Sequence, residues 1–597
     1  MKKTVRFSLI RMLAASISIG SIFLNTAIAQ PFPAPAAEDT TKFGAGVQRT
    51  MKLLATSTAQ KKNTVKILVY GQSISHGTWW LNVRDDLKKR FPNANLIMEN
   101  KAIGGFSSNI LSIPFFNDVL PYNYDLVLFH VYGSQWTYDT IVRNIRTFST
   151  AEMALQNDQG EKGTDSWSDQ MSYTILPAFA QKYKLEMMDV RTPWTKYMTD
   201  NNVTQNDLTV DGTHLNTQGN YLLGTLISRH LAYKPKFESD RYSLVKTLEV
   251  GKDIAFVNGK LNLAFDGTRV EFISGHKGVN PAPVAVTIDN KRPSEFIGCS
   301  YHLRANDSTQ VPKYYEYHPK DPHRFDWPWG VGTLLRIRRN ATLLEEDWTI
   351  TINNLVTTTN SCKFDFTLVG SVTGNDGNGS VTMAKKSTSP DSSLYGWVGT
   401  SAPFVSKSKR VVIGSSAWYL PQALENNQPK VSPIVNGYKI NWHSTLQAKD
   451  NYTAPAIADP TIETTTVIAH GLPKGTHTME LTAAAGGDAA IKYIRVFNPY
   501  FERPQSTVAV DETLAEAAIN LYPNPATNLV NIDMQEYANA NVKIEVFSVL
   551  GNFVDSFKNT NNAVLSLNTS AFATGMYYMN IDLGNGTVIN KKFNVVR

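Results

Sequence analysis

From Val65 to about Tyr233, short apolar runs alternate with amphipathic stretches. The runs are Val65–Tyr70, Asn95–Met98, Leu126–Val131, Glu152–Leu155 and Leu185–Val190, each short enough for a buried strand. Between them, Trp80–Phe91, Tyr138–Phe148, Ser168–Tyr183 and Gln218–Leu231 carry helical spacing. Such alternation predicts βαβ units, hence a parallel sheet covered by helices on both faces. Functional residues in such sheets sit on loops after the carboxyl ends of the strands. Past about Pro235 the period changes to two. Lys260–Phe265 runs into Asp266-Gly267, Thr268–Ile273 into Ser274-Gly275, Val284–Ile288 into Asp289-Asn290 and Asp347–Ile352 into Asn353-Asn354. Thr476–Thr482 and Ala490–Phe497 are the last clear strands of this region. Residues 236–503 are therefore expected to be β-sandwich, as one elaborated module or two smaller ones. Residues 504–517 are polar and uneven, as in a linker, and 518–597 predict a small all-β module. A chain of 597 residues suits this division, because domains cluster at roughly 100–200 residues.

The amino terminus follows a different pattern. Lys2, Lys3, Arg6 and Arg11 precede an apolar stretch around Leu13 to Leu24, and Ala27-Ile28-Ala29 stands before Gln30. This is the three-part pattern of a cleavable secretory signal, so residues 1–29 are expected to be removed. The apolar run is short and broken by Ser and Gly, and no later stretch reaches the ~20 apolar residues that span a bilayer. Loss of those four basic residues, with no acidic ones, takes the formal charge from +7 to +3. That balance leaves no electrostatic footprint for nucleic acid. Cys299 and Cys362 are the only cysteines, too few for a disulfide framework or a good zinc site. Export permits a bond between them, and two buried thiols are the equal alternative.

Candidate chemistry lies at the two ends of the α/β segment. Strand Val65–Tyr70 ends in Gly71-Gln72-Ser73-Ile74-Ser75, where a glycine lets the chain turn tightly beneath Ser73. Far downstream, Asp211-Gly212-Thr213-His214-Leu215-Asn216 precedes the last helix, so one turn carries an acid and a histidine. Alone, a turn serine usually satisfies backbone, and Asp-x-x-His before a helix is often a cap beside a surface histidine. Together, at the first and last elements of one domain, they supply a nucleophile, a base and a group to orient the base.

These residues resemble the blocks of the SGNH (GDSL-like) hydrolase superfamily over residues 60–235. Gly71-Gln72-Ser73 resembles the Gly-Gln-Ser form of its first block, found among its carbohydrate esterases. Asn100-Lys101-Ala102-Ile103-Gly104-Gly105-Phe106-Ser107-Ser108 resembles the second block and puts Gly105 at its glycine. The third block usually reads Gly-x-Asn-Asp, whereas this chain has Gly133-Ser134-Gln135-Trp136. The resemblance implies a catalytic triad of Ser73, Asp211 and His214. It implies an oxyanion hole from the N–H groups of Ser73 and Gly105 and the amide of Gln135, with Asn157 as an alternative to Gln135. It requires no metal or organic cofactor. The implied activity is a secreted serine esterase that deacetylates a polysaccharide or oligosaccharide. A lipid or aryl esterase, or a non-catalytic carbohydrate-binding surface protein on the same fold, remains open. His76 is a substrate-facing or solvated loop histidine, His130 a buried one, and Trp79 and Trp80 are core. Trp327-Pro328-Trp329 has flat faces suited either to sugar rings or to a sandwich core.

The carboxyl-terminal module carries a second resemblance. Leu521-Tyr522-Pro523-Asn524-Pro525-Ala526, Val542–Ser548, Leu550-Gly551, Leu565, Leu567, Thr574-Gly575-Met576-Tyr577-Tyr578 and Lys591-Lys592-Phe593 resemble the sorting domain of the type IX (Por) secretion system of Bacteroidetes. The resemblance implies secretion machinery as a partner, with release to the cell surface or the medium.

Overall fold

In a computed structural model of the chain, the described residues are 32–104, 107–161, 163–237, 243–275, 282–305, 317–318, 321–325, 334–358, 361–385, 397–399, 404–419, 435–483, 489–499, 519–534, 542–548, 553–558, 563–583 and 588–597. The expected signal at 1–29, the linker at 504–517, Gly105 and Trp327-Pro328-Trp329 lie outside them.

The amino-terminal part is a five-stranded parallel sheet. Its strands are β1 (Thr64–Gly71), β2 (Asn95–Asn100), β3 (Leu126–His130), β4 (Glu152–Gln156) and β5 (Glu186–Met188), in the order β2-β1-β3-β4-β5. Alternate side chains of β1 divide between two cores. Val65, Ile67 and Val69 pack with Leu126, Leu128 and Ala154 under α1 (Gln48–Ala55), α3 (Trp79–Arg90) and α11 (Thr217–His230). Leu68 and Tyr70 pack with Val127, Phe129 and Leu155 on the other face, against α6 (Gln135–Phe148) and α8 (Leu176–Tyr183). Between α1 and α11 the chain also forms α2 (Ser73–His76), α4 (Ser108–Leu111), α5 (Phe115–Asp118), α7 (Ser166–Gln170), α9 (Arg191–Asn201) and α10 (Gln205–Leu208).

The expected strands all form, and two helices differ from expectation. Helix α6 begins at Gln135 rather than Tyr138, which puts Gln135 in a helical first turn instead of a loop. The stretch Ser168–Tyr183 is not one continuous α-helix: α7 passes through a π-turn at Met171–Ile175 into α8. Pro177 accounts for the break, since it has no N–H to donate into a continuous helix and π-turns absorb such mismatches.

Two β cores follow. Sheets built from Val245–Glu249, Arg269–Ser274, Thr465–His470 and Ile491–Phe497, and from Lys260–Asp266, Val284–Ile288, Asn451–Tyr452 and Thr476–Ala483, enclose the first. Lys260–Asp266 shows the expected alternation, with Leu261, Leu263 and Phe265 inward. Arg269–Ser274 departs from it, because both its faces are buried and Arg269 is neutralised by Glu271 at 2.6 Å. The second core, with Trp348, Phe364, Trp418 and Trp442, belongs to a nine-stranded sheet whose strands lie between Ser300 and Leu446, within the span of the first sandwich. Cys299 packs in the first core and Cys362 in the second, and no disulfide joins them. The carboxyl-terminal module has a three-stranded and a four-stranded sheet around Val530, Ile532, Val546, Met579, Ile581 and Phe593.

The α/β part is joined to the β part by a buried polar wedge. Asn117 in α5 is 3% exposed; its Nδ2 donates to the carbonyls of His302 (2.9 Å) and Ile337 (3.2 Å), and its Oδ1 accepts from the Ile337 N–H (3.3 Å). Next to it, buried Asp118 lies 3.4 Å from the Tyr70 hydroxyl and 3.6 Å from Arg304. Gln447 Nε2 donates to the Pro121 carbonyl at 2.6 Å. Asn117→Ala removes three hydrogen bonds to buried backbone groups, each worth about 0.5–1.5 kcal/mol net. The expected result is a loss of roughly 2–4 kcal/mol in unfolding free energy, read by urea titration. A variant as stable as the parent contradicts the wedge's contribution.

Candidate active site

The nucleophile candidate sits at the point where the strand order reverses. Strands β1 and β3 are neighbours, while the chain between them runs out to β2 and back, and crevices at such switch points are where open α/β sheets bind ligands. Strand β1 leaves the sheet at Gly71, which has φ of 155°. A Cβ there would lie 1.8 Å from the His130 carbonyl oxygen and 2.5 Å from Ser75 Oγ. Only glycine fits, which is the physical content of the Gly-x-Ser motif. The His130 carbonyl then accepts the Gln72 N–H (3.2 Å) and the Ser75 hydroxyl (3.1 Å). Ser73 opens α2 with its side chain largely buried. Gln72 Oε1 accepts the Ser73 N–H at 2.6 Å and also accepts from Ser73 Oγ.

The base candidate is built within one turn. His214 Nδ1 lies 2.6 Å from Asp211 Oδ2, and Asp211 Oδ1 accepts the N–H groups of His214 (2.8 Å) and Thr213 (3.1 Å). The Val210 N–H closes the loop on the His214 carbonyl (2.8 Å), and Asn216 caps α11 through the Gly219 N–H (3.0 Å). Burial works against the Asp211 charge, but the hydrogen bonds from the His214 ring, the His214 N–H and the Thr213 N–H outweigh it and hold its carboxyl below the usual carboxylate range. An ionised Asp211 keeps the imidazole proton on Nδ1 and leaves Nε2 with a lone pair. Asn220 in α11 ties this end to the other: its Oδ1 accepts the N–H groups of Thr78 and Trp79, each at 2.9 Å. The turn after Ser73 and the helix after His214 are thus one bonded unit.

The remaining candidates divide. Gln135 stands half-buried at the start of α6, and among the described residues its amide has no hydrogen-bond partner. Gly133, at φ of 117°, packs so that a Cβ would fall 3.0 Å from Ser107 Cβ and 2.9 Å from Ser108 Oγ, which brings the second and third blocks together. Asn157 is differently employed: Oδ1 accepts the N–H groups of Val190 (2.8 Å) and Arg191 (3.2 Å), and Nδ2 donates to Asp189 (2.8 Å). Its amide fastens the ends of β4 and β5. His76 is half-buried and burial pushes its pKa down to about 4, so it is neutral near pH 7. Trp79 is core, with its indole N–H on the Ile74 carbonyl at 2.8 Å. His130 is buried as expected, but not inert, with Asp158 Oδ1 at 3.1 Å and Gln72 Nε2 at 3.3 Å from its Nε2. Three residues were missed by the sequence reading. Ser107 Oγ is buried with no partner among the described residues, Gln159 Nε2 reaches the Thr213 carbonyl (3.3 Å), and Asp158 lies beside His130. Asp158 and Gln159 follow the carboxyl end of β4, a position that could have flagged them.

Residues 520–596 match the family model of the secretion system C-terminal sorting domain, which marks the chain for export to the cell surface or the extracellular space. No curated protein matches the chain. Solved structures similar to part of it include an acetylxylan esterase from Geobacillus stearothermophilus, at 16% identity over 30% of this chain and 98% of that one, with a TM-score of 0.26. Another is an acetyl xylan esterase at 19% identity, covering 27% of this chain and 98% of that one, with a TM-score of 0.25.

Because the Gly71 position has no room for a methyl group and holds a positive φ, Gly71→Ala combines overpacking with backbone strain. The expected cost is about 3 kcal/mol or more, seen as a collapsed denaturation midpoint or insoluble protein. Gly163, also at positive φ but with nothing within 4 Å of its Cβ position, is the control for strain alone. Equal losses at the two sites would refute the steric argument.

Proposed function

We propose that the chain is an exported serine esterase that removes acyl groups, foremost acetyl, from a polysaccharide or oligosaccharide. The observation that carries this reading is the Asp211–His214 pair, 2.6 Å apart, on a turn bonded through Asn220 to the segment that follows Ser73. Ser73 Oγ attacks the ester carbonyl while His214 Nε2 takes its proton, and Asp211 stabilises the imidazolium. The negative charge on the carbonyl oxygen is met by the N–H groups of Ser73 and Gly105 and by the Gln135 amide. His214 returns the proton to the departing sugar oxygen, leaving an acyl-Ser73 ester. Water then attacks that ester with His214 again as base, and acetate and the free serine result. The Gly-Gln-Ser form of the first block, the β cores and export together favour a carbohydrate over a lipid ester.

Acetate release from acetylated xylan and pectin, beside p-nitrophenyl acetate and longer acyl esters, tests the substrate class. Ser73→Ala is expected to lower turnover by at least ~10³-fold in a folded protein, and Asp211→Asn severely. Gln135→Ala is expected to lower kcat by roughly 10²–10³ with a smaller change in KM. If kcat is unchanged, the third donor lies elsewhere, and the Ser107 hydroxyl is the next to remove. A parent chain that binds glycan, but whose Ser73 stays unlabelled by a fluorophosphonate, refutes the esterase reading.

Address and chemistry are expected to separate. The tail module has its own core, and every proposed site residue lies within 60–235. Deleting all residues after about Thr507 should leave purified enzyme fully active yet retained in the periplasm, and residues 504–597 should carry an unrelated exported protein outward. Inactivity of the folded, truncated enzyme would instead give the tail a part in the site.

A further inference from the structure

Gln72 faces Ser73 from within the Gly-x-Ser motif, and the triad leaves it without a task. Its Oε1 takes both hydrogens that Ser73 can offer, the backbone N–H at 2.6 Å and the hydroxyl proton. An N–H can be met only by an acceptor, so the amide orientation is fixed: the oxygen faces Ser73 and Nε2 faces away. On that far side Nε2 lies 3.3 Å from His130 Nε2. His130 Nδ1 lies 3.2 Å from the Gln156 carbonyl, which needs a proton on Nδ1 and leaves Nε2 to accept from Gln72. In that neutral tautomer Nε2 has no hydrogen for Asp158 Oδ1, 3.1 Å away, so the ring is held through Nδ1 and not by Asp158. Gln72 and His130 are both nearly fully buried. A buried carboxamide with both ends engaged is a rigid rest for a hydroxyl that would otherwise sample three rotamers.

We propose that Gln72 is a positioning residue for the nucleophile, itself held by His130; the proposal rests on the esterase reading above. The amide oxygen fixes Ser73 Oγ before substrate arrives and occupies the Ser73 N–H until the acyl oxygen displaces it. Because the group is an amide, it does this without placing a charge beside the oxyanion.

Gln72→Ala, Gln72→Glu and His130→Asn, assayed on p-nitrophenyl acetate across pH with fluorophosphonate labelling of Ser73, test it. Gln72→Ala is expected to lower kcat about 10-fold with KM within about twofold, the signature of lost orientation. Gln72→Glu keeps the shape and can still accept from Ser73, but it loses the donor toward His130 and sets a carboxylate against the oxyanion. It should lower kcat about 100-fold near neutrality, and the deficit relative to the parent should shrink as pH falls and the carboxylate is protonated. His130→Asn should give a smaller loss in kcat. If the Ala variant unfolds, the isosteric Glu variant carries the test alone. An active, labelled parent with Gln72 variants within about twofold of it at every pH overturns the proposal and spares the triad, as does a Gln72→Glu deficit that is the same at every pH. A parent that neither labels nor hydrolyses removes the esterase reading and this proposal together.

Discussion

The approach of Gly71 to the carbonyl of His130 governs the rest of the site. At that contact the ends of β1 and β3 close to a distance that excludes any side chain. The same carbonyl oxygen receives the Gln72 N–H and the Ser75 hydroxyl. The chain therefore has one way to leave the sheet, and it leaves with Ser73 at the head of a short helix. Asn220 then binds the next two free N–H groups from the far end of the domain. A separation of 142 residues is bridged by backbone donors and one carboxamide, not by a charge pair, so the link is insensitive to salt.

The electrostatic arrangement is economical. Asp211 is kept ionised by three short donors in its own turn, so its charge does not depend on a distant cation. On the other side of the serine the group in direct contact is the Gln72 amide, a dipole without net charge, with the His130 imidazole and the Asp158 carboxylate behind it.

Much of the α/β part was legible because β1, β3 and β4 are buried on both faces and must be written in apolar residues; hence Val65–Tyr70, Leu126–Val131 and Glu152–Leu155 stand out. The edge strand β5 was overextended, since Leu185 before the paired residues and Val190 after them are apolar for packing reasons. The π-turn before Pro177 escaped notice because a helix with a bulge keeps its apolar spacing. In the site, Ser73, Asp211 and His214 could be found as short local motifs. Ser107 and Asn220 could not, because their importance comes from distant chain brought beside them, and Asp158 was marked only by its place just past the end of β4. The nested second β core was equally hidden, since nested and consecutive modules have the same period of two.

The Asn117 wedge bears on how such a chain can arise. Enzymes with accessory modules are often assembled by recombination at seams, where a stretch of coding sequence can be cut and rejoined without loss to either side. Between the α/β part and the β cores there is no seam of that sort. Asn117 bonds the buried His302 and Ile337 backbone across the junction, and Gln447 reaches back to Pro121. A crossover near residue 236 would hand each daughter half of a buried polar cluster. Cutting there would cost both parts buried hydrogen bonds, whereas the carboxyl-terminal module, with a core of its own, could be joined to another chain without that loss.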